Sequence, residues 1–184
     1  VDRIRYRSWF EGKDFSTDWT SKNFTMWRRM LSPLRGEPLQ ILEIGSWEGR
    51  SALFFLKFFE KSTIVCIDTF SATPEEQAIY DPMTSIIRGV EERFNHNLES
   101  FGNRVEKIKN RSSAALVRLA SEGRRFDLAY IDGGHRRDQV MADSRDVWQL
   151  LDPGGVVIWD DYEWGLKMPP AEQPRPAIDA FLRD

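Results

Sequence analysis

Five short apolar segments alternate with longer amphipathic ones along this 184-residue chain, and this alternation most constrains its fold. Short segments rich in Ile, Val and Leu are typical of strands buried on both faces of a sheet. The five segments are LQILEIG (39–45), STIVCIDTF (62–70), RVEKIKN (104–110), FDLAYIDG (126–133) and GGVVIWDDY (154–162). The pattern predicts an α/β fold with a Rossmann-like, doubly wound, mainly parallel sheet and helices on both faces.

Helices are predicted between and beyond these strands by apolar residues that recur every three or four positions. The predicted helices are SKNFTMWRRML (21–31), GRSALFFLKFFE (49–60), DPMTSIIRGVEERFNHNLESFG (81–102), SSAALVRLASEG (112–123), RDQVMADSRDVWQLL (137–151) and PAIDAFLRD (176–184). The polar, tryptophan-rich start of the chain precedes the first strand. We therefore divide the chain into an N-terminal helical segment or lid, 1–35, and a main domain, 36–184.

Acidic residues end four of the five predicted strands. A ligand of an open α/β sheet lies beyond the carboxyl ends of its strands, so these positions indicate a site. One acid there would be an ordinary turn residue, whereas four together favour function. The strand-end residues are Glu43 and Gly45, Asp68, Asn110 to Ser113, Asp132 to His135, and Asp160 with Asp161.

The turn after the first strand has the spacing Glu43-x-Gly45-x-x-x-Gly49. It differs from the dinucleotide fingerprint G-x-G-x-x-G because Trp47 occupies the place of the second glycine. This difference disfavours a nicotinamide dinucleotide, and the spacing alone leaves the ligand of the turn open.

Three stretches together carry a family resemblance. LEIGSWEGRS (42–51) resembles motif I of class I S-adenosylmethionine-dependent methyltransferases, in the form used by catechol-type O-methyltransferases. FDLAYIDGGH (126–135) and LDPGGVVIWDDYEW (151–164) resemble motifs of the macrocin-type, methyltransferase 24-like sugar O-methyltransferases. The similarity extends from about Gly36 to Phe181.

The resemblance implies a site for S-adenosylmethionine at the first two strand ends. Gly45 and Gly49 would let the backbone approach the methionine part, and Glu43 would hold its ammonium group. Asp68 would accept both ribose hydroxyls, and the less favoured alternative is that it caps a turn or helix. Ser112 or Ser113 is also a natural helix N-cap. The remaining implied cofactor contacts are Ser46, Trp47, Ser51, Thr69, Ser112 and Asp132.

The same resemblance implies a site for Mg²⁺ or a similar divalent cation on Asp132, Asp160 and Asp161. Three converging carboxylates would repel one another without a cation, which supports this interpretation. The alternative is that Asp132 faces the cofactor, Asp160 caps a turn and Asp161 is solvated.

Asp132 and His135 are the candidate catalytic residues. In the sugar-methylating relatives an acid two residues after the metal-binding Asp acts as base, but Gly134 stands there in this chain. His135 is the nearest group with a pKa suited to proton removal, and Glu163 is the reserve candidate. The other histidine, His96, is interpreted as a surface residue.

The resemblance implies a methyltransferase, and we expect metal-assisted O-methylation of a small hydroxylated molecule or sugar. The N-terminal helix and the segment 71–89 are expected to cover the acceptor pocket. A Rossmann-type oxidoreductase is one alternative, disfavoured by Trp47 and by clustered carboxylates that do nothing for hydride transfer. A non-catalytic cofactor-binding module is the other.

Composition excludes several further classes. Lys and Arg total 26 against 29 Asp and Glu, a net charge of −3 that argues against a nucleic-acid partner. No apolar run approaches the ~20 residues that span a bilayer, and the N-terminus lacks a signal-peptide pattern, so a cytoplasmic protein without a membrane partner is expected. The single cysteine, Cys66, is expected in the core. The sequence does not determine the oligomeric state, and it allows a homo-oligomer.

Members of this fold usually add an antiparallel pair of strands after the helix represented by PAIDAFLRD (176–184). The sequence stops at Asp184. We therefore expect the sheet edge to be completed by strands absent from this sequence or to be covered by something else.

Overall fold

A computed structural model of the protein describes residues 6–71 and 87–183. In these residues five strands form one sheet in which every pairing is parallel, which confirms the predicted fold class. The strands are β1 (Gln40–Ile44), β2 (Thr63–Asp68), β3 (Val105–Lys109), β4 (Phe126–Ile131) and β5 (Leu151–Trp159).

The strand order is β3-β2-β1-β4-β5, so the chain reverses direction across the sheet after β3. Glu43 of β1 lies opposite Cys66 of β2 and Tyr130 of β4. This register places the ends of β1, β2 and β4 side by side, at the position where open α/β sheets bind ligands.

Within the described residues, one α-helix precedes the strands and five connect or follow them. They are α1 (Phe24–Leu31), α2 (Arg50–Phe58), α3 (Val90–Leu98), α4 (Ser112–Ser121), α5 (Arg137–Leu150) and α6 (Arg175–Phe181). The predicted helix over 81–102 was too long, because Gly89 adopts φ +80° just before Val90 and a new helix begins there. Part of that prediction, 81–86, lies outside the described residues.

Two apolar layers sandwich the sheet. On one face, Ile41, Cys66 and Tyr130 pack against α1, α2 and α3. On the other face, strand residues such as Leu42 and Ile131 pack against α4 and α5. Cys66 is fully buried, as the sequence predicted.

The N-terminal segment is part of the first layer. Phe24 of α1 stacks on Phe54 of α2 with ring centroids 4.4 Å apart, and Trp27 stacks on Phe55 at 5.0 Å. The predicted apolar face of α1 is therefore confirmed, and burial of these large rings stabilises the segment against the domain.

The far edge of the sheet is β5, which pairs only with β4 in the described residues. Within the same residues we find no antiparallel strand. A search of the described helices found none long and apolar enough to cross a membrane.

Candidate functional site

Backbone hydrogen bonds continue past the strand ends and align the loops that follow. Gly45 N donates to Ile67 O at 2.9 Å, and Asp132 N donates to Ile44 O at 2.8 Å. Asp160 N donates to Ile131 O at 3.0 Å. The predicted strand-end residues of β1, β2, β4 and β5 therefore lie side by side at one edge of the sheet.

Gly45 lies so close to the backbone that follows β4 that there is no space for a side chain. It has φ +84°, and a Cβ built on it would lie 1.9 Å from the carbonyl oxygen of Asp132. We predicted this glycine from close approach to the cofactor; the structure gives a second reason that needs no ligand. Gly49, at φ +78°, starts α2 and packs closely against Leu98 of α3.

Three non-glycine residues in the described chain have positive φ, namely Trp47, Phe70 and Asp161. Each lies in a loop that follows the carboxyl end of a strand. Such conformations cost free energy and persist only where surrounding contacts enforce them, often at functional sites. Their shared location supports the assignment of this edge as the site.

Asp68 connects two of these strained loops. Its Oδ2 accepts a hydrogen bond from Trp47 N at 2.7 Å, and its Oδ1 accepts one from Phe70 N at 2.6 Å. The turn-capping role foreseen for Asp68 is therefore present. A carboxylate has about four acceptor positions, which makes it a suitable partner for a pair of hydroxyl donors.

Glu43 is fully buried beneath the glycine turn. Burial raises the pKa of Glu43 to about 7, and the nearby hydroxyls of Ser51 and Ser46 only partly oppose this. Cys66 Sγ lies 3.5 Å from Oε2, whereas Oε1 is buried with no hydrogen-bond partner among the described residues. A buried acceptor without a partner is costly, and a ligand ammonium group nearby would relieve that cost.

A small cavity of about 20 Å³ lies at this turn. One wall is Gly45, Ser46, Trp47, Ser51 and Asp132, and the opposite wall comes from the N-terminal segment, including Phe15 and Trp19. A cavity of this size holds about one water molecule.

Buried polar contacts tie the N-terminal segment to the glycine turn. Glu48 is almost fully buried and accepts hydrogen bonds from Ser16 N at 2.8 Å, from the Ser16 hydroxyl and from Arg93 of α3. Asn97 Nδ2 donates to Asp14 O and Glu48 O, while Asn97 Oδ1 accepts from Asp14 N. The segment, the turn and α3 therefore form one connected structure.

Our sequence reasoning missed this network. Asn97 lies three residues after Phe94 and one before Leu98, on the buried face of α3. An amide in the apolar stripe of a helix is a signal that could have identified it, since a buried amide requires partners.

The β4 and β5 ends bring together Asp132, His135 and Asp161. One ligand atom from each lies within 4.8 Å of the others, a grouping that could hold a metal ion. His135 Nε2 lies 2.8 Å from Asp161 Oδ2. The imidazole also stacks on Trp164, with ring centroids 4.3 Å apart. His135 is therefore fixed by contacts on its edge and on its face.

Asp160, the third predicted metal-binding acid, lies beside this group and is not one of its members. Its Oδ2 accepts a hydrogen bond from the Tyr130 hydroxyl at 2.7 Å, and Asn23 Nδ2 contacts its two oxygens at 3.2 and 3.4 Å. The Tyr130 hydroxyl also lies 2.9 Å from Asp132 Oδ2.

The pKa values of two acids at this edge of the sheet are shifted in opposite directions. Burial, together with the charges of Asp160 and Asp161, raises the pKa of Asp132 well above its ordinary value. Burial alone would also raise the pKa of Asp161, but the His135 imidazole outweighs it and holds that pKa below the ordinary value. A cation bound here would relieve the repulsion on Asp132.

The remaining predicted residues lie at the rim. Thr69 Oγ1 donates to Ser71 O at 2.9 Å. Arg111 is the N-cap of α4, so the prediction that Ser112 or Ser113 caps this helix was wrong. Ser112 instead lies against the carboxylate of Asp143, whose pKa burial raises to about 6.

Glu163, the reserve candidate for the base, is exposed in the loop after β5. His96 is exposed on α3, as predicted, and its Nε2 lies 3.1 Å from Gly12 O. Most of the segment 71–89, which we expected to cover the acceptor pocket, lies outside the described residues.

Comparison with known proteins adds independent information. The family model described as a methyltransferase domain matches residues 42–162. An uncharacterised protein of Acanthamoeba polyphaga mimivirus is 24% identical over 157 residues, covering 81% of this chain and 64% of the relative.

Two solved structures illustrate the similarity in fold. MycE methyltransferase from the mycinamycin biosynthetic pathway, in complex with Mg and SAH, superposes with a TM-score of 0.64 at 18% identity, covering 97% of this chain and 46% of that one. A proposed O-methyltransferase from Klebsiella pneumoniae gives 0.65 at 17% identity, covering 99% and 75%.

The chain spans less than two thirds of the length of the viral relative and about half of MycE. At these identities the solved structures establish the fold alone. The family match covers more than half of the chain and includes the glycine turn, the β4 end and the β5 end. The chain therefore belongs to the methyltransferase domain family.

Proposed function

We propose that this chain is an S-adenosylmethionine-dependent methyltransferase that methylates a hydroxyl of a small molecule or sugar with the help of a divalent cation. The observation that carries the proposal is the position of Asp132. It lines the cavity at the glycine turn and also belongs to the group formed with His135 and Asp161. The proposed site for the methyl donor and the group of two acids and one imidazole therefore share Asp132.

The glycine turn suits the methionine end of the methyl donor. Glu43 offers the donor's ammonium group a buried carboxylate oxygen that has no other partner among the described residues. Asp68, which accepts a hydrogen bond from Trp47 N, is the carboxylate proposed to accept the ribose hydroxyls. The other residues proposed to contact the donor are Gly45, Ser46, Gly49, Ser51, Thr69, Ser112 and Asp132.

Asp132, Asp160 and Asp161 are the proposed ligands of the cation, and the Tyr130 hydroxyl lies within hydrogen-bond distance of the first two. When bound, the methyl donor supplies the transferable methyl group and the cation acidifies the acceptor hydroxyl. A set of carboxylates favours hard ions such as Mg²⁺ or Mn²⁺.

His135 is the proposed base. If Nε2–H donates to Asp161, the lone pair of the imidazole is on Nδ1, which has no hydrogen-bond partner among the described residues. Asp161 would fix this tautomer and stabilise the imidazolium formed when Nδ1 takes the hydroxyl proton. Stacking on Trp164 restricts rotation of the ring during that transfer.

The N-terminal segment, 1–35, is proposed to act as a lid over the donor site and the acceptor. Phe15 and Trp19 close the small cavity, and Asn23 reaches the β5 end. One of the similar structures is MycE with Mg, SAH and mycinamycin VI, which supports a small-molecule acceptor for this chain by analogy only.

Transfer of a labelled methyl group tests the proposal. The protein would be incubated with methyl-labelled S-adenosylmethionine and a panel of phenols, catechols and glycosylated small molecules, with Mg²⁺ or with a chelator. We expect alkali-stable label in a hydroxylated product only when Mg²⁺ is present. Donor binding without transfer to any acceptor would favour a non-catalytic module, and binding of a nicotinamide dinucleotide instead would favour an oxidoreductase.

A further inference from the structure

Tyr130 is a buried phenol that reaches two of the acids at the site. It lies in β4, and its side chain points toward the layer that contains α1 and α2. Its hydroxyl lies 2.9 Å from Asp132 Oδ2 and 2.7 Å from Asp160 Oδ2. One hydroxyl group therefore connects the carboxylates that follow two adjacent strands.

The ring of Tyr130 has little freedom to move. Trp27 of α1 meets it edge-to-face with centroids 5.1 Å apart, and Phe55 of α2 does so at 5.7 Å. No part of the residue is exposed to solvent. Because close-packed rings in a core hold one rotamer, the position of the hydroxyl is fixed by the fold.

Asp160 has a second anchor on the opposite side. Asn23, just before α1, places its amide nitrogen 3.2 Å from Oδ1 and 3.4 Å from Oδ2. Neighbouring carboxylates repel each other, and contacts with Tyr130 and Asn23 restrict the orientation of Asp160. The single hydroxyl proton of Tyr130 is shared between the two acids, whereas Asn23 contacts Asp160 alone.

We propose that Tyr130 is a positioning residue for the cation site, holding the carboxylates of Asp132 and Asp160 in the arrangement that a divalent cation requires. This inference rests on the proposed function, because it presumes a cation at Asp132. Tyr130 itself does not touch the cation or the acceptor; it acts through the two acids. Partners of metal ligands that fix their orientation typically change metal affinity by about 10–100-fold.

The test is the affinity of the full chain for Mn²⁺, measured by electron paramagnetic resonance of the free ion, in the parent and in Tyr130→Phe. Phenylalanine keeps both ring contacts and removes only the hydroxyl. Tyr162→Phe is the matched control, since the Tyr162 hydroxyl is exposed and bonds to Asp179 away from the acids. We expect Mn²⁺ to bind Tyr130→Phe at least tenfold more weakly and Tyr162→Phe unchanged.

A second variant tests the same proposal independently, in case Tyr130→Phe does not fold. Asn23→Ala removes the other donor to Asp160 from a partly exposed position and should weaken Mn²⁺ binding in the same direction. Thermal melts verify that each variant is folded. Parent-like Mn²⁺ affinity in both Tyr130→Phe and Asn23→Ala would overturn the proposal, as would equal weakening in Tyr162→Phe. A parent that binds no Mn²⁺ would instead reject the cation site itself.

Discussion

The Cβ that Gly45 lacks would lie 1.9 Å from the carbonyl oxygen of Asp132, so the turn after β1 and the end of β4 are in direct backbone contact. Asp132 N also donates to Ile44 O at 2.8 Å. The glycine turn after β1 and the backbone of Asp132 at the end of β4 therefore hold each other in a fixed position.

This contact predicts a large loss of stability for Gly45→Ala. The clash involves backbone atoms that cannot move aside, and alanine is strained at φ +84°. We expect the free energy of unfolding to fall by about 3 kcal/mol or more, measured by urea denaturation. Gly36→Ala is the matched control, because Gly36 also has positive φ but nothing within 4 Å, and it should cost only about 1 kcal/mol. Equal losses of unfolding free energy in the two variants would show that the protein accommodates the added methyl group at Gly45 without further strain.

The hydrogen bonds between Asn97 of α3 and the N-terminal segment give a second prediction. Asn97→Ala would leave Asp14 N, Asp14 O and Glu48 O without the amide that bonds them. Loss of one buried and two partly buried bonds should lower the free energy of unfolding by about 2–4 kcal/mol. Asn95→Ala, two residues away and exposed, should change it by less than about 1 kcal/mol. If the two variants melted alike, the network would not hold the segment in place.

Glu43 predicts a pH dependence of stability in the ligand-free protein. Its folded pKa of about 7 exceeds the ordinary value of 4.5, so the folded state holds the proton more tightly. Stability from this group is full below pH 4.5 and is lost as the pH rises to about 7, an effect of about 3 kcal/mol. The difference in unfolding free energy between the parent and Glu43→Gln should therefore change across this window. A difference that is constant from pH 4 to 8 would contradict the raised pKa.

His135 acts as a base in our proposal, although it also lies close enough to be a metal ligand. The hyperfine spectrum of bound Mn²⁺ distinguishes the two roles, because a coordinated imidazole nitrogen couples to the ion. We expect no such coupling, and we expect His135→Ala to lower turnover by about 10²–10⁴-fold. His96→Ala is the control and should leave turnover unchanged. Nitrogen coupling that disappears in His135→Ala would make His135 a ligand and leave the base unassigned.

The sequence predicted the sheet and most strand-end residues because both depend on local patterns. Runs such as QILEI and TIVCID are typical of buried strands, and parallel strands place Asp68 and Asp132 at the same edge. The break at Gly89 was missed because the apolar repeat continues across it and conceals a backbone at positive φ.

Long-range polar contacts were not predictable in the same way. Tyr130 looks like an ordinary core aromatic in the strand FDLAYI, and only the register of β4 with β5 brings its hydroxyl to Asp160. Asn23 reaches the same acid across 137 positions of sequence. Such pairs depend on how α1 packs over the sheet, which a periodic pattern does not specify.

Calorimetric titration with S-adenosylhomocysteine tests the central claim most directly, in the parent and in Asp68→Ala, with Mg²⁺ and with a chelator. The account predicts binding of one ligand per chain by the parent in either condition, and binding at least tenfold weaker in Asp68→Ala, which loses the carboxylate assigned to the ribose hydroxyls. No binding by the parent, or equal binding by the folded Asp68→Ala variant, would contradict the placement of the methyl donor at the ends of β1 and β2.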